Sequence, residues 1–162
     1  MITILCLEDE PEVRDAILRD LRPFEEHFRI EAAGDAADAA AILGELSLAE
    51  DELGLVLCDH RLPGESGVDF LAKIHARDSW RAARKVLLTG QADQRDTIRA
   101  VNEGGLNHYL GKPWKPEELV AVVREQLTRY VLETDADPLP YLSVLEPEPL
   151  LKRVAARGGG LV

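Results

Sequence analysis

Short apolar runs alternate with amphipathic segments along the first 132 residues, and this alternation constrains the fold more than any other feature of the sequence. The apolar runs predict five strands, at residues 2–7, 28–32, 53–58, 85–88 and 107–110. The amphipathic segments predict five helices, at residues 11–21, 36–48, 68–74, 93–103 and 116–132. Strict alternation of this kind indicates an α/β fold, in which helices cover both faces of a doubly wound parallel sheet.

Local signals support several of these helix boundaries. Pro11 and Pro116 suit the first turn of a helix, and Asp35 is a suitable N-terminal cap. In the fourth helix, Ile98 and Val101 are expected to face inward. Gly104 is expected to end that helix.

The charge balance excludes some classes of partner. Acidic residues outnumber basic ones 30 to 19, which gives a formal charge of −11. We therefore expect neither direct nucleic acid binding nor membrane binding, since such a surface repels phosphates and anionic lipids. No apolar run approaches the ~18 residues of a membrane span, and residues 1–4 do not resemble a signal peptide. A cytoplasmic domain is expected, with Cys6 and Cys58 as buried thiols rather than a disulfide.

Charged and polar side chains follow four of the predicted strands. Glu8 and Asp9 follow the first, Asp59 the third, Thr89 the fourth and Lys112 the fifth. In open parallel sheets these strand ends share one edge, where ligands bind. The three carboxylates and one ammonium leave two negative charges, which one divalent cation would neutralise. Oxygen ligands favour Mg²⁺, which often also meets phosphate oxygens, so the sequence predicts a magnesium-assisted phosphoryl site.

With these landmarks the chain resembles the receiver domain of two-component response regulators over about residues 1–132. The resemblance lies in four motifs, Ile4-Leu5-Cys6-Leu7-Glu8-Asp9-Glu10, Leu57-Cys58-Asp59-His60-Arg61-Leu62-Pro63-Gly64, Leu87-Leu88-Thr89-Gly90 and Tyr109-Leu110-Gly111-Lys112-Pro113. It implies a flavodoxin-like sheet of strand order 2-1-3-4-5 and a cis bond before Pro113. It also implies a signalling switch rather than an enzyme, phosphorylated by a histidine kinase or a phosphotransfer protein.

The resemblance also implies a role for each acidic residue. Asp59 would be the nucleophile that takes the phosphoryl group. Mg²⁺ would be bound by Asp9 directly, by Glu8 through water, by Asp59 and by the backbone carbonyl of Arg61. Glu8 stands where the family more often has aspartate.

Further residues would handle the phosphoryl group and the response to it. Thr89 and Lys112 would contact phosphoryl oxygens, and Tyr109 would be the aromatic residue of the conformational switch. Tyr109 could instead be an ordinary core residue. Arg61 and Gln91 stand two residues after Asp59 and Thr89, so we expect them to tune dephosphorylation.

A narrower resemblance lies in residues 88–93, 102–104 and 109–114. These segments look like the receivers of hydrogenase-type regulators or cyclic-dinucleotide phosphodiesterases. Two alternatives remain: an aspartyl-phosphate phosphohydrolase, or a receiver that is one fragment of a larger kinase or regulator. The phosphohydrolase pattern has a second acid two residues after the nucleophile, whereas this chain has Arg61 there.

The sequence changes character after Leu132. Residues 133–140 look like a linker, and residues 148–158 predict a short helix with Leu150, Leu151 and Val154 in one apolar patch. Such a helix is too short to be stable alone. The tail comprises residues 133–162, and we expect its residues 139–157 to dock on the face of the fourth helix, fifth strand and fifth helix, or to cross to a second subunit. The same face or the tail could also form a homodimer. A frayed remnant of a linker is the alternative.

Overall fold

The computed structural model describes residues 1–90 and 94–159, which form one five-stranded parallel sheet with helices on both faces. The strands are β1 (Ile2–Leu7), β2 (Arg29–Ala33), β3 (Glu52–Asp59), β4 (Arg84–Thr89) and β5 (His108–Gly111). Their order in the sheet is β2-β1-β3-β4-β5, and every pair is parallel. The predicted fold and strand order are confirmed.

The helices follow the strands in alternation. They are α1 (Pro11–Asp20), α2 (Ala36–Ala49), α3 (Gly67–Ala76), α4 (Gln94–Gly104), α5 (Pro116–Glu133) and α6 (Pro147–Gly159). Short 3₁₀ turns lie at Arg22–Phe24 and Leu139–Tyr141. As predicted, the Asp35 carboxylate caps α2 by accepting a hydrogen bond from the Asp38 main-chain N–H, at 2.8 Å.

The sheet separates two apolar clusters, because successive side chains of a strand point to opposite faces. On one face, β1 contributes Ile4 and Cys6 to a cluster with residues of α1 and α5. On the other, it contributes Leu5 and Leu7 to a cluster with residues of α2, α3 and α4. β1 and β3 are therefore buried on both sides, which explains their nearly continuous apolar sequences.

The inward face of α4 differs from the prediction. Ile98 and Val101 are 51% and 52% exposed, so the expectation that they face inward was wrong. The buried positions are Ala100 and Gly104, and a Cβ on Gly104 would lie 3.3 Å from the Cβ of Leu71 in α3. Small residues let α4 approach α3 closely, and this packing determines which face of the helix turns inward.

The tail folds back onto the rest of the chain. Val144, Leu145 and Leu150 are buried and join the apolar cluster on the α1–α5 side of the sheet. Tyr141 stacks on Phe28, with ring centroids 5.2 Å apart. Leu151 is 52% exposed and does not share the burial of Leu150, so the predicted three-residue apolar patch is divided.

Polar contacts fix the same segment to α5. The Arg124 side chain donates to the main-chain carbonyl of Val144 at 3.1 Å, and the Glu146 N–H donates to the Thr128 hydroxyl at 3.1 Å. Arg124 also lies over the ring of Phe24, beside α1. The tail thus contacts α5 as expected, but it lies on the α1–α5 side of the sheet. The predicted docking face, with α4 and β5, was wrong.

The cysteines agree with a further prediction. Cys6 and Cys58 are buried and free, as expected of core thiols. Within residues 1–90 and 94–159, no helix combines the length and apolar character needed to cross a bilayer.

Candidate functional site

The carboxyl ends of β1, β3, β4 and β5 bring the predicted site residues to one edge of the sheet. The register aligns the last residues of these strands, with the pairs Leu7–Cys58, Asp59–Leu88 and Thr89–Gly111. Residues that directly follow a strand in the sequence therefore become neighbours in space. This alignment brings together side chains more than a hundred positions apart in the chain.

Three carboxylates form the acidic part of the site. Glu8, Asp9 and Asp59 each offer one oxygen atom, and these oxygens lie within 4.8 Å of one another. Glu8 is fully buried and Asp59 is 6% exposed, whereas Asp9 is more open to solvent. Burial raises the pKa of the Glu8 carboxyl above its ordinary value, although a hydrogen bond from Lys112 opposes the rise.

Lys112 bridges two of these carboxylates. Its Nζ lies 2.9 Å from Oε2 of Glu8 and 3.2 Å from Oδ1 of Asp59. Burial alone would lower the pKa of Lys112, but the hydrogen bond to Glu8 and the charge of Asp59 outweigh it, so that pKa is raised. The Lys112 side chain is therefore a charged ammonium at neutral pH, held against the acidic cluster. The bond between Lys112 and Pro113 is cis, as the resemblance implied.

A cavity of about 500 Å³ opens above this cluster. Its lining comprises Asp9, Glu10, Asp59, Arg61, Thr89, Gly90 and Lys112. Thr89 is buried, and its main-chain carbonyl accepts a hydrogen bond from the Lys112 N–H at 2.8 Å. The exposed Arg61 stands at the rim, where its main chain pairs with that of Ser66. Glu10, which the sequence analysis did not select, is also part of the wall.

Among the predicted site residues that the structure describes, Glu8 and Tyr109 are not part of this cavity lining. Tyr109 is on β5 and is 40% exposed, so it is not an ordinary core residue in this conformation. Gln91, predicted to tune dephosphorylation, falls outside the described residues.

Gly67 supports the end of β3, and the sequence analysis missed it. A Cβ at this position would lie 2.1 Å from the main-chain oxygen of Asp59, so only glycine fits. The Gly67 N–H donates to the main-chain carbonyl of His60 at 2.8 Å. The start of α3 is thereby fixed against Asp59. The glycine in the Pro-Gly-Glu-Ser-Gly segment was the available signal.

His60 connects the same strand end to α4. Its Nε2 lies 3.0 Å from Oδ2 of Asp96, and its main-chain N–H donates to the carbonyl of Leu88 at 2.9 Å. The two side chains are 36 positions apart in the sequence, and no local pattern predicts that they meet.

The chemistry of these ligands fits Mg²⁺. Three oxygen ligands of like charge lie together with one ammonium, so the cluster carries excess negative charge. A small divalent cation with a preference for oxygen relieves that repulsion. Among the described residues, the one cluster of three potential metal ligands consists only of carboxylates, which does not suit zinc.

The sequence is similar to that of known regulators. Residues 4–124 match the family model described as the response regulator receiver domain. The hydrogenase transcriptional regulatory protein HoxA of Bradyrhizobium diazoefficiens is 36% identical over 136 residues. The match covers 83% of this chain and 26% of HoxA, so the chain spans about a quarter of that relative. This relative is of one of the two kinds of protein that the narrower resemblance named.

Solved structures show the same fold. The signal receiver domain of an HD domain-containing protein from Pseudomonas fluorescens Pf-5 is 30% identical, with a TM-score of 0.69 over 81% of this chain and 90% of that one. The receiver domain of the sensor histidine kinase PA1611 from Pseudomonas aeruginosa PAO1 is 28% identical, with a TM-score of 0.61. That alignment covers 77% of this chain and 96% of the other, which is described with a magnesium ion coordinated in its active site cleft.

Proposed function

This chain belongs to the response regulator receiver domain family, and from that premise we propose that Asp59 accepts a phosphoryl group from a phosphohistidine. The donor would be a histidine kinase or a phosphotransfer protein. The observation that carries the proposal is the position of the Lys112 ammonium, within hydrogen-bonding distance of both Glu8 and Asp59. The cavity above them has room for a phosphoryl group.

The transfer is an in-line displacement at phosphorus. An oxygen of the Asp59 carboxylate forms a bond to phosphorus while the bond from phosphorus to the imidazole nitrogen of the donor breaks. The electron pair of that bond stays with the imidazole, which takes up a proton from solvent. The products are an acyl phosphate on Asp59 and a neutral histidine.

The other side chains stabilise the charge of the phosphoryl oxygens. Lys112 offers its ammonium to one oxygen, and the Thr89 hydroxyl offers a hydrogen bond to another. Mg²⁺, when bound by Asp9, Asp59, the carbonyl of Arg61 and indirectly Glu8, supplies the positive charge that lets an anionic donor approach. The acidic cluster described above supports this set of ligands.

The phosphoryl group then changes the conformation of the domain. Thr89 moves towards the new oxygens, and Tyr109, which is 40% exposed, turns into the space that Thr89 leaves. The surface around α4 and β5 changes as a result, and a partner, an output domain or a second subunit would recognise it. Hydrolysis of the acyl phosphate ends the signal. Arg61, on the cavity wall, and Gln91 would set its rate.

Acetyl phosphate tests the central step without a cognate kinase. With Mg²⁺ present, intact-mass spectrometry should show one added phosphoryl group, labile to hydroxylamine, on the wild-type chain. Asp59→Asn should show none. Asp78→Asn is the matched control, because Asp78 is 92% exposed, and it should label like the wild type. Labelling of Asp59→Asn at the wild-type level would refute the assignment.

Two further arms test the supporting roles. EDTA and Asp9→Ala should both suppress labelling, because the anionic donor would then meet uncompensated carboxylates. Lys112→Ala should slow it. The aspartyl-phosphate phosphohydrolase alternative predicts continuous release of inorganic phosphate from a generic phosphomonoester. A receiver should release no phosphate from that substrate. Labelling that is indifferent to EDTA would refute the role of Mg²⁺.

A further inference from the structure

We propose that His60 is a positioning residue that couples the phosphorylation of Asp59 to the position of α4. The inference rests on the proposed function of Asp59. His60 follows Asp59 directly, and its Nε2 lies 3.0 Å from Oδ2 of Asp96 on α4. A single side chain therefore joins the phosphoacceptor to the helix.

The surroundings of His60 limit how it can move. Its main-chain N–H donates to Leu88 on β4, and its main-chain carbonyl accepts from Gly67 at the start of α3. The residue is 9% exposed, whereas 41% of the Asp96 side chain is exposed. The imidazole is thus enclosed between the end of β3 and α4. A displacement of the peptide that joins Asp59 to His60 must move the ring, and with it the hydrogen bond to α4.

Helix α4 is sensitive to such a contact because its apolar anchoring is small. Between Arg95 and Gly104, the buried residues are Ala100 and Gly104, which offer little apolar surface. A second side-chain contact from α4 to a neighbouring element is the ion pair between Arg99 and Asp69 of α3. Polar contacts therefore contribute to holding this helix, and one of them begins beside the phosphoacceptor.

The consequence is a division of roles. The carboxylates, Thr89 and Lys112 carry out phosphorylation, whereas the His60–Asp96 contact reports it to α4. Loss of this contact should leave the chemical step intact and should remove the response of the helix. The ion pair with Asp69 holds α4 as well, but Asp69 is not attached to the phosphoacceptor.

The test measures phosphorylation and helix response separately. His60→Phe keeps a flat ring without the hydrogen bond, and Asp96→Ala removes the partner at a more exposed position. Both are treated with acetyl phosphate and Mg²⁺, and intact mass gives the labelling rate. Amide hydrogen exchange of residues 95–104 is then compared with and without the phosphoryl group. The matched control is Asp69→Ala, which removes the ion pair between α3 and Arg99 of α4.

In the wild type, we expect phosphorylation to change exchange in α4 by about two- to tenfold, the range that one hydrogen bond controls. In His60→Phe and Asp96→Ala, labelling should proceed within about twofold of wild type and the difference in exchange should fall below about twofold. Asp69→Ala should raise exchange in both states and keep the difference. The double variant of His60→Phe with Asp96→Ala should lose no more of the difference in exchange than either of these single variants, because both changes break the same contact.

Two results would overturn the proposal. One is a phosphorylation-dependent difference that survives in both His60→Phe and Asp96→Ala, since the contact would then be structural, like that of Asp69. The other is a wild-type chain that is labelled without any change in α4. A wild-type chain that is not labelled at all would instead remove the proposed function itself, and the mass measurement distinguishes that failure.

Discussion

Replacing Leu150 with alanine should lower the free energy of unfolding of the whole chain by about 2–4 kcal/mol. Leu150 is fully buried on α6, in the apolar cluster that also contains Val144 and Leu145. Leu→Ala changes in cores cost about 2–5 kcal/mol, and the cost falls where the surroundings can collapse. We expect the lower part of that range because α6 is the last helix of the chain's described residues and can shift towards the space that the leucine side chain leaves.

The neighbouring Leu151 provides the control. It is 52% exposed on the same helix, and leucine and alanine have similar helix propensities, so Leu151→Ala should change the free energy by less than about 0.5 kcal/mol. Urea unfolding followed by tryptophan fluorescence measures both variants. Equal unfolding midpoints would refute the docking of α6. Leu150→Ala could instead lower the free energy of unfolding by less than this and speed amide exchange only in residues 147–159. That result would mean that the tail unfolds separately, and it would refute cooperative unfolding of the tail with the rest of the chain.

Three further perturbations test other parts of the structure. Gly67→Ala should slow phosphorylation and lower the free energy of unfolding by about 1–3 kcal/mol, because its Cβ would lie 2.1 Å from the main-chain oxygen of Asp59. Gly44 has open space around it, so Gly44→Ala should leave the free energy of unfolding in urea unchanged or raise it. Burial lowers the pKa of Lys85 from 10.5 to about 8. The unfolded chain therefore binds more protons between these pH values, and the free energy of unfolding should rise with pH there by up to about 1.4 kcal/mol per unit. Lys85→Met should flatten that rise in urea titrations, and an equal slope would contradict the assignment. Burial raises the pKa of Cys6 to about 12 and that of Cys58 well above its ordinary value, so a thiol reagent should modify neither until the chain unfolds.

The sheet and the positions of the site residues could be predicted from the sequence because both follow from simple periodicity. Parallel strands bring their carboxyl ends to one edge, so the residues after each apolar run lie along that edge. Glu8, Asp59 and Lys112 illustrate this, because their side chains are in contact although they are far apart in the sequence. What the residues do chemically remains the subject of the phosphorylation tests.

Helix α4 shows where the same reasoning fails. Ile98 and Val101 are its most apolar residues, and a periodicity argument assigns them to the core. The structure buries Ala100 and Gly104 instead, because a close approach to Leu71 needs small residues. Close packing depends on the partner surface, which a one-dimensional pattern does not contain.

The position of the tail and the His60–Asp96 contact could not be predicted from the sequence, for a related reason. The apolar residues of the tail indicated that it needed a surface, but nothing in its sequence specified which one. The stack of Tyr141 on Phe28 identifies the α1–α5 side only once both rings are positioned. Likewise, the contact between His60 and Asp96 depends on the placement of α4 and has no signature in either local sequence.

The hydrogen bond between Lys112 and Glu8 joins residues 104 positions apart, and this separation has a consequence for synthesis of the chain. Contacts between distant residues form late, because a large loop must close before they contribute any stability. The ribosome synthesises Glu8, Asp9 and Asp59 well before Lys112, so the nascent domain contains the three carboxylates without the Lys112 ammonium. Phosphoryl transfer at the full rate should therefore appear only after β5 has joined the sheet, which would make the rate of acyl phosphate formation a measure of completed folding.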